Sequence, residues 1–189
     1  ETIRGMLLVN EPSGLKYSKS GKKFYYGEPE NLKKHYFTND SKIYSDKISK
    51  FVIRCNEESD GAVIDRLSRI YSHIFIDEVQ DLAGYDLEIL KLLLKSRSNI
   101  LFVGDPRQVT YLTHYERKYS KYKGGKIKEF IQRECRNIPC EIDEETLNIS
   151  LRNNKIICDY SSKLYPSFKP CVSKHNEMTG HDGIFLVRE

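Results

Sequence analysis

The sequence predicts an α/β domain built on a parallel sheet, and three observations carry that prediction. Two short apolar runs, "IFI" at 74–76 and "ILFV" at 100–103, each lead into an acid, Asp77 and, one glycine later, Asp105. Between them "LEILKLLLKSRSN" repeats its leucines at helical spacing. Buried strand, helix, buried strand is the order of a parallel βαβ unit, whose ligands collect at the carboxyl ends of the strands. Both acidic ends then lie on one rim.

The other elements follow in chain order. Residues 1–57 are rich in tyrosine, lysine and glycine, and weak alternation in "KKFYYGE" and "KKHYFTND" predicts short strands or hairpins in a small irregular region. In "AVIDRLSRIYSHIFIDE", Val63, Ile64, Leu67 and Ile70 recur at helical spacing before the first apolar strand, so a helix feeds that strand. A helix is expected to start near Leu82. Beyond the second strand come a basic segment from Tyr111 to Lys128, a helix in "KIKEFIQREC", a strand in "ETLNISL" and a helix from about Asn154 to Leu164, stopped before Pro166. "GIFLVRE" reads as the start of a further strand. The boundaries are drawn at 1–57, 58–165 and 166–189.

Composition narrows the class. With 189 residues, 39% hydrophobic and 31% charged, the chain suits one good core plus an appendage. A formal charge of +4 permits a polyanionic partner without requiring one. No apolar run approaches a membrane span and no signal-peptide pattern opens the chain, so the expectation is a cytoplasmic protein. Five cysteines without a CxxC pair suggest neither a disulfide framework nor a closed zinc site, although Cys171, His175 and His181 can be drawn as metal ligands. The first residue is glutamate, which suggests processing or a piece of something longer.

Two adjacent carboxylates at the end of a buried strand stabilise a fold poorly, because desolvated charges must be paired or hold a cation. "DEVQD" at Asp77 to Asp81 resembles the Walker B motif of UvrD/Rep-like superfamily 1 DNA helicases, and "VGDPRQ" at Val103 to Gln108 resembles their third motif. "LNISLRNNKIICDYSSKLY" resembles the fourth. The three occur in the family's order, which a single short pattern does not achieve.

The resemblance implies a partial RecA-like P-loop NTPase domain with a parallel sheet, preceded by a small inserted region. It implies ATP and Mg²⁺ as cofactors and single-stranded DNA as partner. Asp77 and Glu78 are the metal-facing carboxylates, with Glu78 the base for the attacking water. Asp77, Gln80 and Asp105 line the nucleotide, Gln108 senses its γ-phosphate, and Arg152 stabilises transition-state charge. Read without the family, Asp77 and Glu78 are exposed acids beside a helix start, "GDPR" is a turn and Arg152 is a surface arginine.

In "YLTHYERKYSKYKGGKIK", Tyr111, Tyr115, Lys118 and Lys121 belong to an aromatic and cationic alternation that suits a single strand, with Tyr119 and Tyr122 in the same rhythm. Tyrosines packing a helix onto the domain give the same pattern. Thr113 and His114 stand where the family has tryptophan and arginine.

No GxxxxGK[ST] loop occurs, and the family's later motifs are missing as well. The expectation is therefore a piece of an ATP-dependent helicase, inactive alone, whose remaining domains lie elsewhere. The alternatives are a stand-alone, non-catalytic nucleic-acid-binding or interaction module, and a metal-dependent nuclease using Asp77, Glu78 and Asp105. In the resembling fold a phosphate-loop strand flanks the strand ending at Gly104, with the strand near Leu147 beyond it. Without that strand, the Leu147 strand, a second copy or disorder must deal with the edge.

Overall fold

A computed structural model describes residues 2–109, 118–175 and Ile184. The chain divides into two compact units, Glu1–Cys140 and Glu141–Glu189. Among the described residues, no helix is long and apolar enough to cross a membrane.

The first unit opens with β1 (Gly5–Leu7), which pairs in parallel with β4 (Lys42–Tyr44). Between them, β2 (Leu15–Lys19) and β3 (Lys22–Tyr25) form an antiparallel hairpin. Ser20 and Gly21 join these strands with φ of 51° and 75°. Two left-handed residues make the tight turn whose twist matches that of the strands. "KKHYFTND", expected as a strand, instead begins inside helix α1 (Leu32–Tyr36). The Asn31 side chain accepts the Lys34 N–H at 2.9 Å and caps the helix start, a local signal that outweighs weak alternation. A longer helix, α2 (Ile48–Glu58), follows, and the sequence reading missed it. It packs against α3 (Ala62–Ile70) and α4 (Tyr85–Leu94). Ser49 Oγ donates to Asp86, tying the first α2 turn to the first α4 turn.

The expected βαβ unit is present. Strand β5 (His73–Ile76) pairs in parallel with β6 (Asn99–Phe102), with α4 between them in sequence. Ile76 and Phe102, opposite each other in the ladder, face a core of Leu87, Leu90, Tyr122, Phe130, Ile131 and Cys135, the last four being brought in by α5 (Ile127–Glu134), its C-cap and the turn before it. Phe75 and Leu101, also paired, point to the other face and are 71% and 52% exposed. Helix α4 starts at Tyr85 rather than near Leu82. A single 3₁₀ turn, Val79–Asp81, takes up the intervening chain.

The second unit contains β7 (Ile149–Ser150), paired in parallel with β8 (Val172–Ser173), and α6 (Lys155–Leu164), whose cap Asn154 accepts the Ile157 N–H at 3.0 Å. The strand expected near Leu147 is thus two residues long, and its ladder partner is β8. Leu147 itself is exposed. The strand expected in "GIFLVRE" lies, apart from Ile184, outside the described residues.

Candidate functional site

The carboxyl ends of β5 and β6 are joined by backbone and side chain. Val103 N–H donates to Ile76 C=O at 2.9 Å, and Val79 N–H donates to Val103 C=O at 3.1 Å. The ladder therefore continues past the strands and holds both loops at one rim. Glu78 adopts a left-handed backbone conformation, φ 54° and ψ 36°, which is uncommon for a residue with a Cβ and turns the chain sharply after Asp77. Asp77 Oδ1 accepts the Glu78 N–H at 2.8 Å and fixes that turn.

Gln80 is the keystone of the rim. It is 3% exposed, and both ends of its carboxamide are engaged: Nε2 donates to Glu78 Oε2 at 2.6 Å, while Oε1 accepts the Asp105 N–H at 3.1 Å. An amide can bridge in this way because it carries a donor and an acceptor, which a carboxylate does not. Gly104 makes the bridge possible. A Cβ there would lie 2.5 Å from Gln80 Oε1 and 2.9 Å from Val79 Cγ2, so any side chain would push Gln80 away.

Asp105 is occupied by its own loop. Arg107 forks onto it, Nε to Oδ1 and Nη2 to Oδ2, both at 2.9 Å, and the Arg107 N–H adds a third bond to Oδ1 at 3.0 Å. Gln108 Nε2 donates to Oδ2 at 3.1 Å. Partial burial pushes the Asp105 carboxyl upward, but the Arg107 and Gln108 donors outweigh it and hold it below its ordinary value. Asp105 therefore organises the loop that presents Gln108. Arg107 was missed by the sequence reading, although an arginine two residues after an Asx turn is the signal that finds it.

Asp77 and Glu78 differ from Asp105. Both are exposed, and among the described residues neither has a cationic partner. The described residues contain no cluster of three or more His, Cys, Asp or Glu that could cage a metal. Two open carboxylates on a rigid turn fit magnesium nonetheless, because Mg²⁺ keeps several waters and takes one or two carboxylates together with nucleotide phosphates.

Lys118 and Lys121 take no part in this chain of hydrogen bonds. Arg152 is exposed in the second unit, in the bend between β7 and α6. Tyr111 and Tyr115 lie outside the described residues. Lys118 pairs with Glu88 at 3.1 Å and Lys121 with Glu134 at 3.2 Å. Tyr122 is buried, and Tyr119 sits edge-on to Phe130 with its hydroxyl on Glu88 at 2.7 Å. Tyr119 and Tyr122 thus take part in packing.

The rim is thus the carboxyl end of a parallel strand pair that carries an exposed acid pair and a buried amide spanning two loops. Family comparison makes this specific: the UvrD/REP helicase N-terminal domain matches residues 13–113, and the chain belongs to that family. The match takes in the whole rim, Asp77 through Gln108, and also the β2–β3 hairpin and α2. No curated protein matches the sequence.

Proposed function

We propose that this chain supplies the metal- and water-facing rim of a RecA-like, ATP-dependent DNA helicase that moves along single-stranded DNA. The observation that carries the proposal is the Gln80 bridge, which locks Glu78 to the Asp105 loop, with Asp77 and Glu78 lacking cationic partners among the described residues. Membership of the helicase family supports the same reading.

Asp77 and Glu78 would hold the magnesium of the nucleotide, with Asp105 placing the neighbouring loop. When bound, magnesium-ATP supplies the phosphoryl group and the cation that neutralises its oxygens. Glu78 is the group that accepts a proton from the attacking water, and Gln80 holds its carboxylate in place through Oε2. Gln108, presented by the Asp105–Arg107 clamp, reports whether the terminal phosphate is there. Arg152 would steady charge in the transition state. The 189 residues contain no GxxxxGK[ST] pattern, the loop whose amides and lysine cradle phosphates.

The test has two arms. In a polypeptide that joins this chain to a phosphate-binding loop, Glu78→Gln lowers ATP turnover by about a thousandfold and leaves magnesium-ATP affinity within about threefold. Turnover at the wild-type rate overturns the assignment. The 189-residue chain alone neither binds magnesium-ATP tightly nor releases phosphate, and robust hydrolysis by it would show that the site is complete without the loop.

A further inference from the structure

The β2–β3 hairpin has two unlike faces. Its register pairs Tyr17 with Phe24, Ser18 with Lys23 and Lys19 with Lys22. Side chains alternate along a strand, and cross-strand partners share a face. Tyr17, Lys19, Lys22 and Phe24 therefore lie together, while Ser18 and Lys23 point the other way. Lys23 is neutralised by Glu11, and Lys16, at the irregular base of the hairpin, by Glu30.

Lys19 and Lys22 have no such carboxylate among the described residues. They stand directly opposite each other across the hairpin, an arrangement of like charges that is unfavourable until an anion lies between them. The adjacent rung is aromatic: the Tyr17 and Phe24 rings are stacked, with centroids 4.8 Å apart and planes 20° from parallel. Both rings are substantially exposed, at 48% and 40%. A stacked aromatic pair in water beside two unneutralised lysines is a poor way to finish a hairpin, and it matches the two halves of a nucleotide. The aromatic and lysine rungs are two residues apart, ~6–7 Å along the strands, close to the length of one extended nucleotide.

We infer that this face of the hairpin is a binding site for single-stranded nucleic acid, with unpaired bases extending the Tyr17–Phe24 stack and a backbone phosphate bridging Lys19 and Lys22. Stacking on exposed rings needs bases that are not already paired, which selects single strands over duplex. The lysines supply the salt-dependent part of the affinity and the rings the remainder. The site is separate from the carboxylate rim and requires no nucleotide. It adds a contact for the strand in a part of the chain that carries none of the three motifs.

The test is fluorescence anisotropy of a labelled oligothymidine titrated with the full 189-residue chain, without ATP, over a range of salt concentrations. Lys19→Ala with Lys22→Ala is expected to lower affinity at least tenfold and to reduce the slope of log affinity against log salt by about 0.7, one phosphate contact's worth on a single strand. Tyr17→Ala with Phe24→Ala is expected to weaken binding about tenfold with the slope unchanged. Lys23→Ala removes the same kind of charge from the opposite face and is expected to bind within twofold of wild type. Undetectable wild-type binding at low salt overturns the proposal. So does equal weakening by Lys23→Ala, or equal affinity for a blunt duplex or an abasic strand. Because no readout involves ATP, failure of the helicase reading leaves this result standing, and the reverse also holds.

Discussion

The molecule holds carboxylates in two opposite ways. Glu28, between β3 and α1, is surrounded: Lys50 Nζ lies 3.0 Å from Oε2, Arg54 Nε 3.0 Å from Oε1, and the buried Tyr36 hydroxyl donates to Oε1 at 2.8 Å. Desolvation pushes this carboxyl upward, yet the donors from Tyr36, Lys50 and Arg54 bring it from an ordinary 4.5 down to about 2. Burial, and secondarily the bond to Glu28, drive the Tyr36 hydroxyl well above its usual range. Asp77 and Glu78, on the rim, are exposed and have no cation beside them among the described residues. Their supports are backbone and amide donors, which orient a carboxylate without neutralising it. A saturated carboxylate stabilises a fold, whereas an oriented, open one is available to a ligand.

The largest effect that sharpens this contrast is expected at Glu28. Replacing it with alanine leaves Lys50 and the Tyr36 hydroxyl without their shared acceptor and lowers unfolding free energy by about 2–3 kcal/mol, moderated because Arg54 is open to water. Urea denaturation of the purified chain measures this. The pH dependence has a definite sign. A carboxyl depressed in the folded state contributes stability that is complete above its unfolded value and is lost as pH falls through the folded one. Acid destabilisation attributable to Glu28 therefore falls between about pH 4.5 and about pH 2. Glu28→Gln reduces that limb, leaving the contributions in the same direction of Glu88, Asp105 and the other depressed carboxyls.

Next in size is Gly104→Ala, expected to cost about 2 kcal/mol, because the added methyl occupies the space of Gln80 Oε1 and Val79. Gln80→Ala removes the bridge without adding bulk and is expected to cost about 1–2 kcal/mol. Amide hydrogen exchange at Asp105 should quicken in both variants, since its N–H loses the same acceptor. Unchanged exchange would break the claim that Gln80 couples the two loops.

The smallest effect is the most diagnostic. Asp77→Asn and Glu78→Gln are each expected to change stability by less than about 0.5 kcal/mol, as surface substitutions without ionic partners do. A loss as large as that at Glu28 would show that the rim acids are structural.

The amphipathic stretches were legible in the sequence because helical spacing reports burial directly: α3, α4, α5 and α6 lie where periodicity puts them, and the β5–β6 pair follows from two apolar runs flanking α4. Helix α2 was missed although Ile48, Phe51, Val52 and Cys55 recur at helical spacing, because the stretch was taken as part of an irregular region. The tyrosine-rich segment looked like one motif, but the surroundings of Tyr119 and Tyr122 depend on Phe130 and Glu88, which local spacing does not reveal.

The sequence alone determined that two acid-terminated strands flank a helix, and this suffices to bring Asp77, Glu78, Gln80, Asp105 and Gln108 to one rim, because parallel strands joined by a helix must end on the same side. Only tertiary structure decided what each polar group touches. Gln80 reaches across 25 residues to Asp105, and Glu28 across 26 to Arg54. Periodicity records whether a face is buried, and carries no information about which distant donor meets it. The hairpin obeys the same limit: its composition was plain, yet the sorting of paired and unpaired lysines onto opposite faces depends on a register fixed by the Ser20–Gly21 turn and on acids at Glu11 and Glu30 supplied from outside it.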